Sequence, residues 1–357
     1  MVGMRTRIRM HLAILHNADH DLLEDDPGRE AREDVLRVAA ALADVLNDET
    51  TTTELVPVEG ASLDFVARLE HRRPDLVVNL CESLAADSRG EMAVPCLLDL
   101  LGLPYTGSSA LSLGLALHKN KAKELLRARG VRTPDFVAVS RLDEVAAVTL
   151  PFPLIVKPSR EDASVGLDFD SVVEDGASLL RAVERVLTTF HQPALVERFI
   201  AGREIYVPLL GNHPRTALPL TEVVFGQSFK HRPHIVSYTA KWETDSPEYR
   251  DTAPHPCALD EAAQERLVVM AAAAFDALEC RDYGRVDFRL SLEGEPFVID
   301  INPNCDLHPT AGFAKAAASV GLEYRALAKR LVEIALERTH GNPSYRRPGS
   351  GAARRAA

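Results

Sequence analysis

The chain has 357 residues, of which 46% are hydrophobic and 26% charged, with a formal net charge of −11. That balance suits a globular protein of about two or three packed α/β units and argues against general nucleic-acid binding, although a local cationic pocket can still take a nucleotide. No apolar run reaches the ~18 residues of a membrane span, no signal-peptide core opens the chain, and the cysteines form no CxxC pair. The expected setting is reducing and cytoplasmic, without a membrane, zinc or disulfide framework.

In chain order, Ile8–Leu15 reads as a strand and Glu30–Leu46 as a helix with Val35, Val38, Leu42 and Leu46 at helical spacing. Glu54–Val58 and Asp75–Leu80 are further strands, and Met92–Leu101 is a helix stopped by Gly102. The alternation predicts a Rossmann-like parallel sheet over residues 1–118, whose ligands sit beyond the carboxyl ends of its strands. Asn79, Glu82 and Ser83 fall at such an end, where plain loop polarity and a binding role are equally good readings.

A helix over Lys119–Arg129 carries Lys119, Lys121 and Lys123, for which a solvated face is the simpler reading. The strand Phe152–Lys157 runs into PSREDASVG. A small-residue loop after a strand can fold over phosphates, with Lys157 as a donor and Ser164, Val165 and Gly166 at the tip, but one glycine leaves an ordinary turn equally open. A helix follows over Gly176–Phe190, then strands over Ala194–Phe199 and Glu204–Leu210. Glu197 and Glu204 flank the connecting turn, where a carboxylate suits ribose hydroxyls or merely lines an exposed connector.

Residues 226–256 read as a long polar loop of the kind that forms a lid, bearing Lys241 and the single tryptophan, Trp242. Trp242 is either a packing anchor or a plate facing substrate. Glu261–Leu278 and Glu323–Glu337 are helices, and residues 341–357 lack a core-forming pattern and are expected to be disordered.

The richest stretch is Gly284–Asn302, GRVDFRLSLEGEPFVIDIN, which predicts a hairpin about a Glu293-Gly294 turn. Folding it there sets Asp287 opposite Asp300 and Arg285 opposite Asn302, with Asp300 and Asn302 on one face. Opposed aspartates repel unless a cation lies between them, and three oxygen donors beside a cation suit Mg²⁺ holding phosphates. No Walker A, kinase or Gly-Xaa-Gly-Xaa-Xaa-Gly sequence points to another nucleotide fold.

The segments LLDLLGLPYTGSSALSLGLALHKNKAKELL (97–126), PFPLIVKPSREDASVGL (151–167), LVERFIAGRE (195–204), SYTAKWETDSPEYRDTAP (237–254) and YGRVDFRL…FVIDINPN (283–304) resemble the ATP-grasp superfamily, and within it the D-alanine–D-alanine ligases. The resemblance implies an α/β (α+β) ATP-grasp fold: a pre-ATP-grasp domain over 1–118, a central subdomain over 119–193, and a C-terminal subdomain over 194–340 with its lid at 226–256. It further implies ATP with Mg²⁺ (two ions, Mn²⁺ as a possible substitute), small-molecule carboxylate and amine substrates, and a possible homodimer.

By position in those motifs, Lys119 and Lys157 would contact phosphates, Ser164 and Val165 would close the loop, and Glu197, Arg198 and Ile200 would meet adenine. Glu204 would take ribose, Lys241 the γ-phosphate, Asp287, Asp300 and Asn302 the metal ions, and Arg285 the intermediate. The implied reaction is amide-bond formation through an acyl phosphate. This chain has Ala163 and Trp242 where the family has Ser and Tyr, and Asn304-Cys305-Asp306-Leu307-His308-Pro309-Thr310 where the family holds its second substrate. The substrate residues implied are Glu30 or Glu33, Trp242, Asp306 and His308. The expectation is therefore a carboxylate–amine ligase acting on an amino acid, dipeptide or specialised metabolite. D-Alanine–D-alanine ligation and a non-catalytic nucleotide-binding regulator are the alternatives.

Overall fold

The protein, seen here as a computed structural model, is described over residues 9–18, 29–60 and 62–339, the side chains of 29–33 excepted. The tail at 341–357 lies outside these residues.

The N-terminal third alternates strand and helix: β1 (Met10–Asn17), α1 (Arg29–Leu46), β2 (Thr51–Val58), α2 (Asp64–Arg72) and β3 (Leu76–Asn79). The strands form a parallel sheet in the order β2-β1-β3, with β1 central and buried. Parallel strands need crossover helices, which is why apolar runs and amphipathic helices alternate here. α3 (Ala93–Leu101), α4 (Ala110–Leu117) and α5 (Lys119–Ala128) follow.

Next come β4 (Phe136–Val139), β5 (Leu154–Pro158), β6 (Val172–Val173), α6 (Gly176–Arg185) and β7 (Ala194–Arg198), whose antiparallel sheet runs β4-β7-β5-β6. The helix expected to reach Phe190 ends as α at Arg185 and continues as a single π turn over Val186–Phe190.

The remainder comprises β8 (Gly202–Leu210), β9 (Thr216–Ala217), β10 (Thr221–Phe225), α7 (Tyr238–Trp242), α8 (Pro247–Arg250), β11 (Thr252–Pro256), α9 (Glu261–Ala277), β12 (Tyr283–Ser291), β13 (Pro296–Asn302), α10 (Gly312–Ala318) and α11 (Tyr324–Thr339). Its sheet runs β11-β10-β8-β12-β13, with β9 on β8. Phe275 and Leu267 of α9 bury against Ile205, Val207, Val286 and Phe288 of this sheet. α10 and α11 instead pack into the N-terminal core, where Phe313, Leu327 and Leu331 join Leu12, Ile14, Leu42 and Leu76. That packing holds the segment after β13 against the carboxyl ends of β1 and β3.

The 226–256 segment is more regular than a loop. Ser237 caps α7 by accepting from Ala240 N–H, Ser246 caps α8 with Pro247 in its first turn, and β11 pairs with β10 at the sheet edge. Pro254 and Pro256 are tolerated in β11 because an edge strand has one side of its ladder unpaired.

The hairpin has the expected register by an unexpected route. Ser291 N–H donates to Glu295 C=O and Gly294 N–H to Ser291 C=O, so the turn spans Leu292-Glu293-Gly294 rather than the two central residues expected. Gly294 takes the left-handed conformation such turns require (φ 81°). A bulge between the Asp287–Asp300 and Phe288–Val298 pairs then inserts one residue and restores Asp287 opposite Asp300 and Arg285 opposite Asn302.

Candidate active site

α5 places Lys119 and Lys123 one turn apart on its buried face, against the expectation of a solvated lysine face; Lys121 alone is exposed and pairs with Glu124. Burial works against charge on Lys119, but Asp162 Oδ1 at 2.7 Å and Asp300 at 3.0 Å overcome it and raise its pKa. Lys119 thereby ties the loop after β5 to β13. Lys123 Nζ lies 2.6 Å from Glu197 and donates to Thr133 Oγ1 at 2.8 Å, while Lys157 reaches the other Glu197 oxygen at 2.8 Å. Glu197 is 1% exposed, so the exposed-connector reading fails. Its burial favours the acid form, but the two lysines hold it ionised; Lys123, buried and sharing that carboxylate, drops to about 8. The Glu197 carboxylate therefore serves the two lysines.

On the hairpin, Arg285 makes a bidentate pair with Asp287 (2.6 and 2.8 Å) and stacks over Tyr206 at 4.2 Å. Asn302 Nδ2 donates to Asp287 Oδ2 at 3.1 Å. The repulsion expected between the opposed aspartates is relieved by separate cations: Arg285 holds Asp287 and Lys119 holds Asp300. Burial raises the pKa of Asp300, but Lys119 and Lys157 more than offset it, so the carboxylate is ionised. Two carboxylates, Asp287 and Asp300, and the Asn302 amide oxygen are the hard donors Mg²⁺ accepts, so the residues fit such an ion. Among the described residues no group of three or more His, Cys, Asp or Glu forms a metal cage. An ion here would thus draw further ligands from phosphate and water.

Glu204 is also buried rather than exposed. Tyr206 OH donates to one oxygen at 2.9 Å and Arg289 Nη1 to the other at 3.0 Å. Arg289 also donates to the carbonyls of Ile200 (2.9 Å) and His234 (2.8 Å), joining the β7–β8 turn to the lid. Arg198 lies beside Phe297, 5.2 Å from its ring centroid.

The loop after β5 turns through two left-handed non-glycine residues, Ala163 (φ 55°) and Ser164 (φ 64°), before Gly166 (φ 78°). A Cβ on Gly166 would come within 2.7 Å of Pro158 and 2.8 Å of Phe190, so a side chain there has no room. Strained backbone of this kind persists where surroundings over-determine it, and the lid does so. Trp242 Nε1 donates to Ala163 C=O (2.9 Å), Ser164 Oγ to Val236 C=O (2.8 Å), and Tyr238 N–H to Leu167 C=O (2.9 Å). Trp242 is thus an anchor between lid and loop. Val165 N–H is used within the loop, donating to Asp162 C=O. Lys241, 5.3 Å from the Trp242 ring centroid, has its pKa lowered by burial and then by Arg285.

The opposite wall is acidic. Glu91 is 7% exposed, accepts from Asn304 Nδ2 at 3.0 Å, and has its pKa raised by burial and by Asp162. Asp306 Oδ1 accepts from His308 N–H (2.7 Å), and the His308 ring bonds Thr310. Glu30 and Glu33 begin α1, but their side chains lie outside the described residues.

Thr133, Tyr206, Glu91, Asp162 and Arg289 escaped the sequence reading, and Lys123 was read there as part of a solvated face. Lys123 had a legible signal, since residues four apart share a helix face. The others depend on pairings between distant segments.

The family model for the D-ala D-ala ligase C-terminus matches residues 125–333. An uncharacterized protein, y4sG, of Sinorhizobium fredii is 36% identical over 271 residues, covering 76% of this chain and 77% of its own. The D-alanine–D-alanine ligase of Pelotomaculum thermopropionicum is 30% identical over 285 residues, 77% of this chain and 84% of its own. The ATP complex of D-alanine–D-alanine ligase from Bacillus anthracis shares the fold with a TM-score of 0.71 at 23% identity, over 93% of this chain and 98% of that one. With the lysine-bearing helix, the strained loop and the Arg-Asp-Asp-Asn hairpin in family order, this chain belongs to the D-alanine–D-alanine ligase family and is an ADP-forming ligase of ATP-grasp fold.

Proposed function

We propose that the chain activates a carboxylate with ATP to give an acyl phosphate, which an amine then converts to an amide. The observation that carries this is Lys119 bridging the loop at Asp162 and the hairpin at Asp300, with Lys157, Arg285 and Asp287 alongside. Lys119 and Lys157 neutralise the phosphates, Lys241 approaches the γ-phosphate from the lid, and Arg285 steadies the oxyanion of the tetrahedral intermediate. Backbone groups near Arg198 and Ile200 take adenine, and Glu204, fixed by Tyr206 and Arg289, takes ribose. Mg²⁺, held by Asp287, Asp300 and Asn302 with Mn²⁺ as a substitute, supplies charge neutralisation on the transferring phosphoryl group when bound. No covalent enzyme nucleophile is required.

D-Alanine in both substrate positions is the best-supported choice, because relatives of 30–32% identity bear the name D-alanine–D-alanine ligase. A second reading, a changed acceptor, is favoured by Ala163, Trp242 and Asp306 standing where the family has other residues. ADP release from Mg-ATP over a panel of single and paired D- and L-amino acids separates them. Stimulation by D-alanine alone supports the first reading, turnover only with another pair supports the second, and silence throughout overturns both.

A further inference from the structure

Glu204 and Tyr206 alternate on β8, and Arg285, Asp287 and Arg289 alternate on β12, so each set shares one face of its strand. The antiparallel register sets Glu204 opposite Arg289 and Tyr206 opposite Asp287, and Glu204 and Arg289 pair across it at 3.0 Å. Arg285 lies two residues from Asp287 and reaches Tyr206 on the diagonal, a span within range of long side chains. Tyr206 therefore stands between Glu204, read above as the ribose carboxylate, and Arg285.

The two parts of this side chain make different contacts. Its hydroxyl donates to Glu204 Oε1 at 2.9 Å, while Arg289 Nη1 donates to Oε2 at 3.0 Å, so the carboxylate is fixed at both oxygens. Its ring meets Arg285, whose guanidinium carbon is 4.2 Å from the ring centroid. Arg285 donates from Nε and Nη2 to Asp287 at 2.6 and 2.8 Å, and Nη1 makes no hydrogen bond among the described residues. An aromatic face attracts a guanidinium without competing for its donors as a carboxylate does. Asp287 is itself a candidate metal ligand, so the ring anchors Arg285 from outside the metal-binding set.

We propose that Tyr206 is a positioning residue with two arms: its ring holds Arg285 for the oxyanion, and its hydroxyl holds Glu204 for the ribose. This rests on the ligase reading above. A donor fixed in advance stabilises developing charge without reorganising at the moment of reaction, which is what the ring contact supplies to Arg285. On the other arm, a carboxylate held by Tyr206 and Arg289 keeps its remaining lone pairs for sugar hydroxyls. One side chain thus joins nucleotide binding to the transition-state donor, and substitution can separate the two arms.

The test uses full-length protein with Mg-ATP and the amino-acid pair that gives the fastest ADP release. The readouts are kcat, KM for ATP, the Kd of Mg-ATP by calorimetry, and Tm. Tyr206→Phe keeps the ring and deletes the hydroxyl; it is expected to raise KM and Kd for ATP about tenfold, with a smaller change in kcat. Tyr206→Leu deletes both arms and is expected to lower kcat at least about tenfold below the Phe variant, with a Kd within about twofold of that variant. A merely structural tyrosine would lower Tm and move kcat and Kd together in both variants, which would overturn the proposal. Equal kcat in the two variants, or an unchanged Kd for ATP in the Phe variant, also overturns it while leaving the ligase reading intact. Wild-type protein that releases no ADP with any pair overturns the ligase reading and takes this proposal with it.

Discussion

The lysine side of the site and its acidic side solve the problem of buried charge in opposite ways. On the lysine side each carboxylate has a cation: Glu197 sits between Lys123 and Lys157, Asp300 on Lys119, Asp287 on Arg285. On the acidic side Glu82, Glu91, Asp306 and Asp34 gather, and each of the first two has its proton affinity raised by burial. The first arrangement is organised before any ligand arrives. The second leaves charge to be answered by what binds, so the specificity of the enzyme is expected to reside there.

The largest expected effect breaks the organised side. Asp300→Ala removes a partner of Lys119 and a candidate metal ligand, and is expected to lower kcat by about a thousandfold or more in steady-state ADP release. Near-normal turnover would refute the ligand assignment. Lys123→Ala leaves Glu197 buried with Lys157 alone, which is expected to cost about 3 kcal/mol of unfolding free energy in urea titrations. A loss below about 1 kcal/mol would mean that Lys157 and rearranged solvent suffice.

A smaller effect sharpens the acidic side. The folded-state pKa of Glu91 stands above its ordinary 4.5, so its stabilising contribution is complete below that value and is lost as pH rises toward the folded pKa. Glu91→Gln keeps an acceptor for Asn304 but cannot ionise. The variant should match the wild type in Tm near pH 4 and exceed it increasingly toward pH 8; parallel curves would contradict the assignment. Trp242→Phe, which deletes one hydrogen bond between lid and loop, should cost about 1 kcal/mol and raise KM for ATP a few-fold. An unchanged KM would detach the lid from nucleotide binding.

Legibility in the sequence divided along similar lines. Two-residue periodicity brought out Asp287, Asp300, Arg285 and Asn302, and their register survived because the bulge after Asp287 offsets the longer turn at Leu292-Glu293-Gly294. Neither deviation carries a local signal strong enough to read alone. Lys119 and Lys123 were placed on the correct helix but the wrong face, since nothing local announces that Glu197 and Asp300 lie across from them. The lid looked irregular because α7 and α8 are too short for periodicity and β11 holds two prolines, although Ser237 and the Ser246-Pro247 pair mark their starts. The acidic wall was least legible: Glu82, Glu91 and Asp306 come together through the hydrogen bonds of Asn17 to Glu82 N–H and of Asn304 to Cys81 C=O, the latter a contact between segments more than two hundred residues apart.

The central claim is that a substrate carboxylate is activated by direct attack on ATP. Turnover with D-alanine labelled with ¹⁸O in its carboxylate, or with whichever carboxylate of the panel supports ADP release, tests it directly. The account predicts one ¹⁸O transferred to phosphate for each ADP formed, because the carboxylate oxygen that attacks the phosphorus leaves with it. Phosphate carrying no label, with ADP still released, would contradict an acyl phosphate and mean that water attacks ATP instead.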